Sequence, residues 1–234
     1  MSERRLQANE KLDFQTVMAS TVHDLKNSVG MLIDTLRDTT SELTPQEQTL
    51  RTRFSRLESE AMRVSNDLIQ LLTVYKIDHG ICSLDISHHS VRDLLEECML
   101  QYSPLIEHKG INMYLECPEE LYWFLDHTLV CGVINNVLNN AIRYTKDALL
   151  LRGIETDTGL VIQVEDNGPG YPDQLLTPTD NNDSGVDFSS GSTGLGLYFS
   201  ALVAHQHHNK GTRGHAAIDN DSSIGGGRFS LFLP

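Results

Sequence analysis

From Leu50 onward the apolar positions fall at Leu50, Phe54, Leu57, Ala61, Val64, Leu68, Leu71 and Tyr75, with spacings that alternate between four and three. That alternation is a heptad seam, the mark of a helix that buries a narrow stripe against a partner helix. A similar stripe precedes it at Phe14, Met18, Thr21, Leu25, Leu32 and Leu36, and the intervening residues 38–45 have turn and N-cap chemistry. The pattern predicts a helical hairpin. Two striped helices leave part of their apolar surface wet, and pairing two hairpins into a four-helix bundle covers it, so a homodimer is expected.

The pattern changes at residues 78–83, where Asp78-His79-Gly80 follows the long periodic segment and reads as a helix stop. This divides the chain into residues 1–80 and 81–234. Beyond the division, short apolar segments alternate with turns. Strands are expected at 111–117 and 122–125, followed by a helix over 128–144 capped by Asp126 or Thr128. A further strand is expected at 160–165, an apolar helix at 198–204, and a terminal strand at 228–234 after Gly225-Gly226-Gly227. The fold class is α+β, a helical hairpin followed by a mixed α/β domain.

Hydrophobic residues make up 39% of the chain and charged ones 21%, enough to bury a core. Lys and Arg number 18 against 32 Asp and Glu, a formal charge of -14, which argues against nucleic acid or anionic lipid as a partner. Most of the imbalance lies in residues 81–234, with eight basic and twenty acidic residues against ten and twelve in residues 1–80. No apolar run approaches the roughly 18 residues needed to span a bilayer, and the start lacks the apolar stretch of a signal peptide. A soluble, cytoplasmic protein with no membrane insertion is expected. Cys82, Cys98, Cys117 and Cys131 form no CxxC pair and read as reduced core residues rather than disulfides or zinc ligands. His205, His207 and His208 have no acid or cysteine beside them and read as solvated surface.

Four features carry candidate chemistry. At about 100° per residue, His23 falls roughly 180° from the Phe14 stripe, with Asn27 one turn further on the same face and Asp24 on its flank. A lone helical histidine is ordinarily surface, yet one that points outward is accessible to a nucleotide. The helix over 128–144 carries Asn135, Asn136, Asn139 and Asn140. Asparagine is a mediocre helix former, so the four are either polar surface or a ligand set, with Asn136 and Asn140 able to converge on a hard cation or its waters. Asp166-Asn167-Gly168-Pro169-Gly170 follows a strand, a turn in its own right and also a place where an Asp can accept from an amino group while glycines admit a ligand. Residues 191–197 form a Gly-rich entry to a helix whose free N–H groups suit phosphates.

In order and spacing these motifs resemble the two-component sensor histidine kinases, in which a HisKA-type dimerisation and phosphoacceptor domain precedes an ATP-binding domain of the GHKL (Bergerat) type. Residues 14–28 look like the H-box, 136–145 the N-box, 166–170 the G1 box and 191–197 the G2 box. The resemblance implies that His23 is the phosphoacceptor, with Asp24 fixing its tautomer, and that ATP and Mg²⁺ are the cofactors. It implies Mg²⁺ at Asn140 supported by Asn136, Arg143 near a phosphate, Tyr144 on adenine and Asp166 accepting from the adenine amino group. Gly168, Gly170, Gly194, Leu195 and Gly196 would line the closing nucleotide site. The phosphoryl group would pass to an aspartate on a response-regulator receiver domain, and Asp24 with Asn27 fits the pattern that orients water for receiver dephosphorylation.

The sequence departs from that pattern at Ser28, where the family usually has Pro, and in residues 171–193, a short lid with four Asp and no Lys or Arg. With no sensor or receiver fitting in 234 residues, the signal would come from a separate input protein. The alternative is a dimeric histidine phosphotransfer module with little ATP turnover. A GHKL protein kinase of anti-sigma type fits less well, because those lack the phosphoacceptor hairpin.

Overall fold

The computed structural model of the chain describes residues 2–44, 47–81, 83–176 and 194–234, with the side chains of 2–19, 23 and 194 outside that description. It divides into two compact units, Met1–His79 and Gly80–Pro234.

The first unit is two helices, α1 (Ser2–Glu42) and α2 (Gln48–Asp78), packed on each other. Val22 and Leu36 of α1 and Ala61, Met62 and Gln70 of α2 are buried. The heptad seam of α2 splits into its two positions. Phe54, Ala61, Leu68 and Tyr75 are half-buried or buried, whereas Leu50, Leu57, Val64 and Leu71 are exposed, Leu57 at 55%. On α1, Leu25, Met31 and Leu32 are exposed as well. Thr44 closes the connection by donating its N–H and its hydroxyl to Glu47 Oε2 at 2.9 and 2.8 Å, which lowers the Glu47 carboxyl below its ordinary range. Arg37 pairs with Glu58 across the helices at 2.7 Å. At Ser28 α1 continues unbroken, and the Ser28 hydroxyl donates to the Asp24 carbonyl at 2.9 Å. Helix α2 ends on His79, and Gly80 takes φ +65°.

The second unit begins with β1 (Ile86–Ser90), α3 (Val91–Lys109), β2 (Asn112–Glu116), β3 (Tyr122–Asp126), α4 (His127–Tyr144), β4 (Ala148–Thr156) and β5 (Gly159–Asp166). It continues with α5 (Asp173–Leu176), α6 (Gly194–Gln206), the short β6 (His208–Asn209) and β7 (Thr212–Arg213), β8 (His215–Asp219) and β9 (Arg228–Leu233). Five strands form one sheet in the order β2-β4-β5-β9-β8, parallel only between β2 and β4, and β1 pairs with β3 separately. Strand alternation gives this sheet two different faces. Leu149, Leu151, Leu160, Ile162, Val164, Phe229, Leu231 and Leu233 lie on the face that α3, α4 and α6 cover. The other face carries Arg152, Gln163, Glu165 and Ser230, with Arg152 bridging Glu165 at 2.7 Å and Glu116 at 2.6 Å.

Helix α3, absent from the periodicity reading, runs on through Pro104 and buries Val91, Leu94, Leu95, Cys98, Tyr102 and Ile106 along one stripe. Its start is fixed by Ser90, whose hydroxyl accepts from the Asp93 N–H at 3.1 Å. Asp126 caps α4 in the same way, accepting from the Leu129 N–H at 3.0 Å.

One sequence expectation is corrected. His205 and His208 are exposed, but His207 is buried. Its Nδ1 faces the Val203 carbonyl at 2.8 Å, and its Nε2 lies 3.0 Å from the Asp126 N–H. A ring that donates at Nδ1 and accepts at Nε2 is neutral, and burial lowers its pKa. Cys98 and Cys117 are buried and Cys131 half-buried; Cys82 lies outside the described residues.

Candidate nucleotide site

Two segments of the second unit meet α4: the start of α6 lies on the Asn136 side chain, and the loop leaving β5 reaches the Tyr144 backbone. Helix α4 forms because Leu129, Val130, Val133, Ile134, Val137, Leu138, Ala141 and Ile142 give it a broad buried face. Asn136 sits at the edge of that face and is buried, while Asn139 and Asn140 are half-buried. Asn140 follows Asn136 by one turn, about 6 Å along the axis.

The contact that brings α6 onto this helix is made by Gly196. A Cβ there would stand 2.6 Å from both amide atoms of Asn136, so only glycine lets the first turn of α6 lie on that side chain. Leu195 is partly exposed beside it. Gly194 opens the helix, where the first N–H groups lack intrahelical partners.

The second convergence surrounds Asp166, half-buried at the end of β5. Its Oδ1 accepts from the Gly168 N–H at 2.7 Å, and its backbone N–H donates to the Gly227 carbonyl at 3.0 Å. Burial pushes the Asp166 carboxyl up, opposed by the Gly168 and Gly227 backbone N–H groups. Gly168 also packs against the Tyr144 carbonyl, which a side chain would strike, so the end of α4 touches the loop that carries Asp166. Gly170 takes φ +80° next to Asn220, whose amide exchanges bonds of 2.6 and 2.9 Å with the Tyr171 backbone. The Tyr171 ring lies against Gly227, and burial together with Asp166 and Asp219 raises its hydroxyl pKa.

Two contributors were not singled out from sequence. Asn167 Oδ1 accepts from the Thr145 hydroxyl at 2.8 Å and from the N–H groups of Lys146, Asp147 and Ala148 at 3.2 Å each, while its Nδ2 donates to Asp147 Oδ1 at 2.7 Å. One side chain thus ties the loop after α4 to the loop after β5. The other is the turn at Gly226 and Gly227 under Asp166, for which three consecutive glycines were the available signal.

The expected residues therefore gather in two groups joined by α4. Asn136 meets Gly196; Asp166 meets Gly168 and, through it, the Tyr144 backbone. The Tyr144 side chain is exposed, with the Arg143 guanidinium 5.8 Å from its ring centre. Asp24 and Asn27 are exposed on α1 in the other unit. The His23 side chain and the greater part of the expected lid, residues 177–193, lie outside the described residues.

Residues 126–234 match the family of histidine kinase-, DNA gyrase B- and HSP90-like ATPases. Over 220 residues the chain is 25% identical to the sensor protein PhoQ of Escherichia coli O157:H7, covering 94% of this chain and 43% of PhoQ. The chain is thus similar to sensor histidine kinases. Its second unit has the fold of histidine kinase catalytic domains. The catalytic domain of histidine kinase ThkA aligns with a TM-score of 0.54 at 22% identity, over 64% of this chain and 96% of that one. Full-length ShkA in complex with AMPPNP aligns with a TM-score of 0.57 at 16% identity, over 94% of this chain and 46% of that one. The chain spans less than half the length of the curated relatives it matches. Among its described residues, no helix is long and apolar enough to cross a membrane.

Proposed function

We propose that this chain is the catalytic portion of a histidine kinase that phosphorylates His23 from ATP and passes the phosphoryl group to an aspartate of a response-regulator receiver domain. The observation that carries the reading is the half-buried Asp166 carboxylate. Two backbone N–H groups orient it, glycines crowd around it, and lone pairs are left over for an amino group such as that of adenine. The ShkA neighbour was captured with a nucleotide analogue, which accords with this assignment.

In the proposed site, Asp166 orients the base, Tyr144 packs on it, and the backbone at Gly168, Gly170, Gly194, Leu195 and Gly196 lets the chain approach the nucleotide closely. Arg143 supplies positive charge toward a phosphate. The paired amides of Asn136 and Asn140, hard oxygen donors one turn apart, suit Mg²⁺, which when bound neutralises charge on the phosphates. His23 Nε2 attacks the γ-phosphorus in line: a P–N bond forms as the P–O bond to the β-phosphate breaks, and the electron pair leaves on ADP. Asp24 accepts from Nδ1–H and holds the tautomer that leaves Nε2 nucleophilic. In the second step the receiver carboxylate attacks the same phosphorus and the imidazole leaves. Asn27, one turn from His23, would orient the water that later cleaves the phosphoaspartate. Because ATP and the receiver are cytoplasmic, this portion works there, and its input comes from outside residues 1–234.

The exposed set Leu50, Leu57, Val64 and Leu71 supports a homodimer, since a repeat of seven on one face of α2 is the surface a second hairpin would cover. The lid sequence favours a second reading: with no Lys or Arg in residues 171–193, the chain could serve as a dimeric phosphotransfer module with little ATP turnover. Incubation with γ-labelled ATP and Mg²⁺ decides between them. The kinase acquires an acid-labile, alkali-stable label that His23→Ala abolishes; the transfer module acquires label only from a phosphorylated receiver.

A further inference from the structure

A cluster of different chemistry lies at the other end of α4. His127 opens the helix and Cys131 follows at i+4 on the same face, so the thiol sulfur lies 3.8 Å from the ring nitrogens. Glu97 reaches over from α3 to place Oε2 at 3.2 Å from His127 Nε2. One donor atom from each of the three residues falls within 4.8 Å of the others. The geometry points to a binding site for a zinc-class divalent ion, ligated by Glu97, His127 and Cys131, that clamps α3 to α4.

A tetrahedral ion with bonds of about 2.0–2.3 Å holds its donors roughly 3.3–3.8 Å apart, and the Glu97–His127 and His127–Cys131 separations already fall close to that range. The remaining adjustment falls on Glu97, whose side chain is exposed and free to turn. A surface Glu–His pair alone is common; a half-buried thiol in the same triangle is what changes the chemistry. Thiolate, imidazole and carboxylate together select zinc or cobalt, whereas Mg²⁺ requires oxygen donors. Binding converts the Cys131 thiol to thiolate: an S–metal bond forms and the S–H proton goes to solvent.

The surroundings fit such a site. Cys98, buried on α3 next to Glu97, lies against the Cys131 side chain, so a second thiol stands beside the ligating sulfur. The His89 ring of β1 stands 5.1 Å from that of His127, and its Nε2 meets the Ser87 hydroxyl at 2.8 Å. No two cysteines form a ligand pair in the sequence, but here the donors come from two helices brought together by packing. Cys131 precedes Asn136 by five residues, so a clamp here stiffens the helix on which the candidate nucleotide amides stand.

The test uses the full chain, stripped with a chelator and titrated with Co²⁺ in the absence of nucleotide. One equivalent should produce a thiolate-to-cobalt charge-transfer band and the visible bands of a four-coordinate ion. Zn²⁺ should erase both, and excess Mg²⁺ should leave them unchanged. Cys131→Ser should lose the charge-transfer band, and Glu97→Gln should weaken Co²⁺ binding at least about tenfold while circular dichroism stays that of the wild type. Zn²⁺ should raise the melting temperature of the wild type and leave that of Glu97→Gln nearly unmoved. The proposal is overturned if the wild type gives no charge-transfer band, if the band survives in Cys131→Ser, or if Glu97→Gln binds Co²⁺ as tightly as the wild type. Should Cys131→Ser fail to fold, the exposed Glu97→Gln variant decides.

Discussion

The first turn of α6 rests on Asn136 through Gly196, at a distance where a methyl group would stand 2.6 Å from either end of the amide. Gly196→Ala must therefore displace the Asn136 side chain or tilt the helix, at a cost of about 1–3 kcal/mol. Denaturant unfolding should register that loss, and calorimetry with ATP and Mg²⁺ should show affinity reduced about tenfold or more. An alanine variant that binds nucleotide like the wild type would show that the site does not depend on this contact.

Asp166 and Asn140 separate binding from stability. Removing the Asp166 carboxylate strands the N–H of Gly168, so Asp166→Ala should abolish ATP binding and also cost about 1–3 kcal/mol. Asn140 is half-buried and off the apolar face of α4, so Asn140→Ala should abolish Mg²⁺-dependent binding while shifting stability by less than about 0.5 kcal/mol. Parallel unfolding and calorimetry check both, and wild-type affinity in the two variants would remove the nucleotide assignment.

Leu57 is exposed within the hairpin, so Leu57→Asp should leave the helices folded while placing a charge in the proposed dimer contact. Sedimentation should show a dimer for the wild type and a monomer for the variant, a weakening of roughly a hundredfold or more. A wild-type monomer at micromolar concentration contradicts the bundle.

His207 makes the stability of the second unit depend on pH. Its folded pKa lies below the ordinary 6.5, with burial the largest cause, so the unfolded chain takes up the proton first. The stabilisation is complete above pH 6.5 and is lost as the pH falls through the lowered folded value. The groups facing the ring are the Val203 carbonyl, the Asp126 N–H and the charges of Asp126 and His208. Unfolding measured from pH 8 down to 5 should show this slope, and His207→Ala should be less stable by about 1–3 kcal/mol at pH 8 and flatter below 6.5.

Asn27 tests the second activity expected of the α1 face. Asn27→Ala should label with ATP at close to the wild-type rate, yet remove phosphate from a phosphorylated receiver about tenfold or more slowly. Receiver phosphorylation followed over time for His23→Ala, Asn27→Ala and wild type distinguishes the two steps. Dephosphorylation at the wild-type rate would confine the assignment to phosphotransfer.

The elements with a strong period were legible: the hairpin from its alternating fours and threes, β5 from residues 160–165, and α4 from its cap and apolar face. Helix α3 was not, because Pro104 and the charged residues around its stripe mask a regular buried set. Strand β4 was not either, because both faces of Leu149-Leu150-Leu151 are buried and no alternation survives. Among the candidate site residues, Asp166 and the glycines stand out by motif spacing, but the Asn136–Gly196 contact joins residues 60 apart and exists only once α6 packs on α4. His207 was misread for the same reason: its partner Asp126 lies 81 positions away.

Asn167 and Gly168 form the dipeptide whose backbone most readily closes on the preceding amide to lose ammonia and leave an aspartate. In this loop the nitrogen needed for that closure is occupied, since the Gly168 N–H is held by Asp166 at 2.7 Å, and the Asn167 amide is engaged at both ends. The clamp between the two loops thus shields itself from chemical ageing. Were the amide lost, the new carboxylate would confront Asp147 where an N–H now donates, so the folded domain should keep its site over long storage while partly unfolded material should accumulate the lesion.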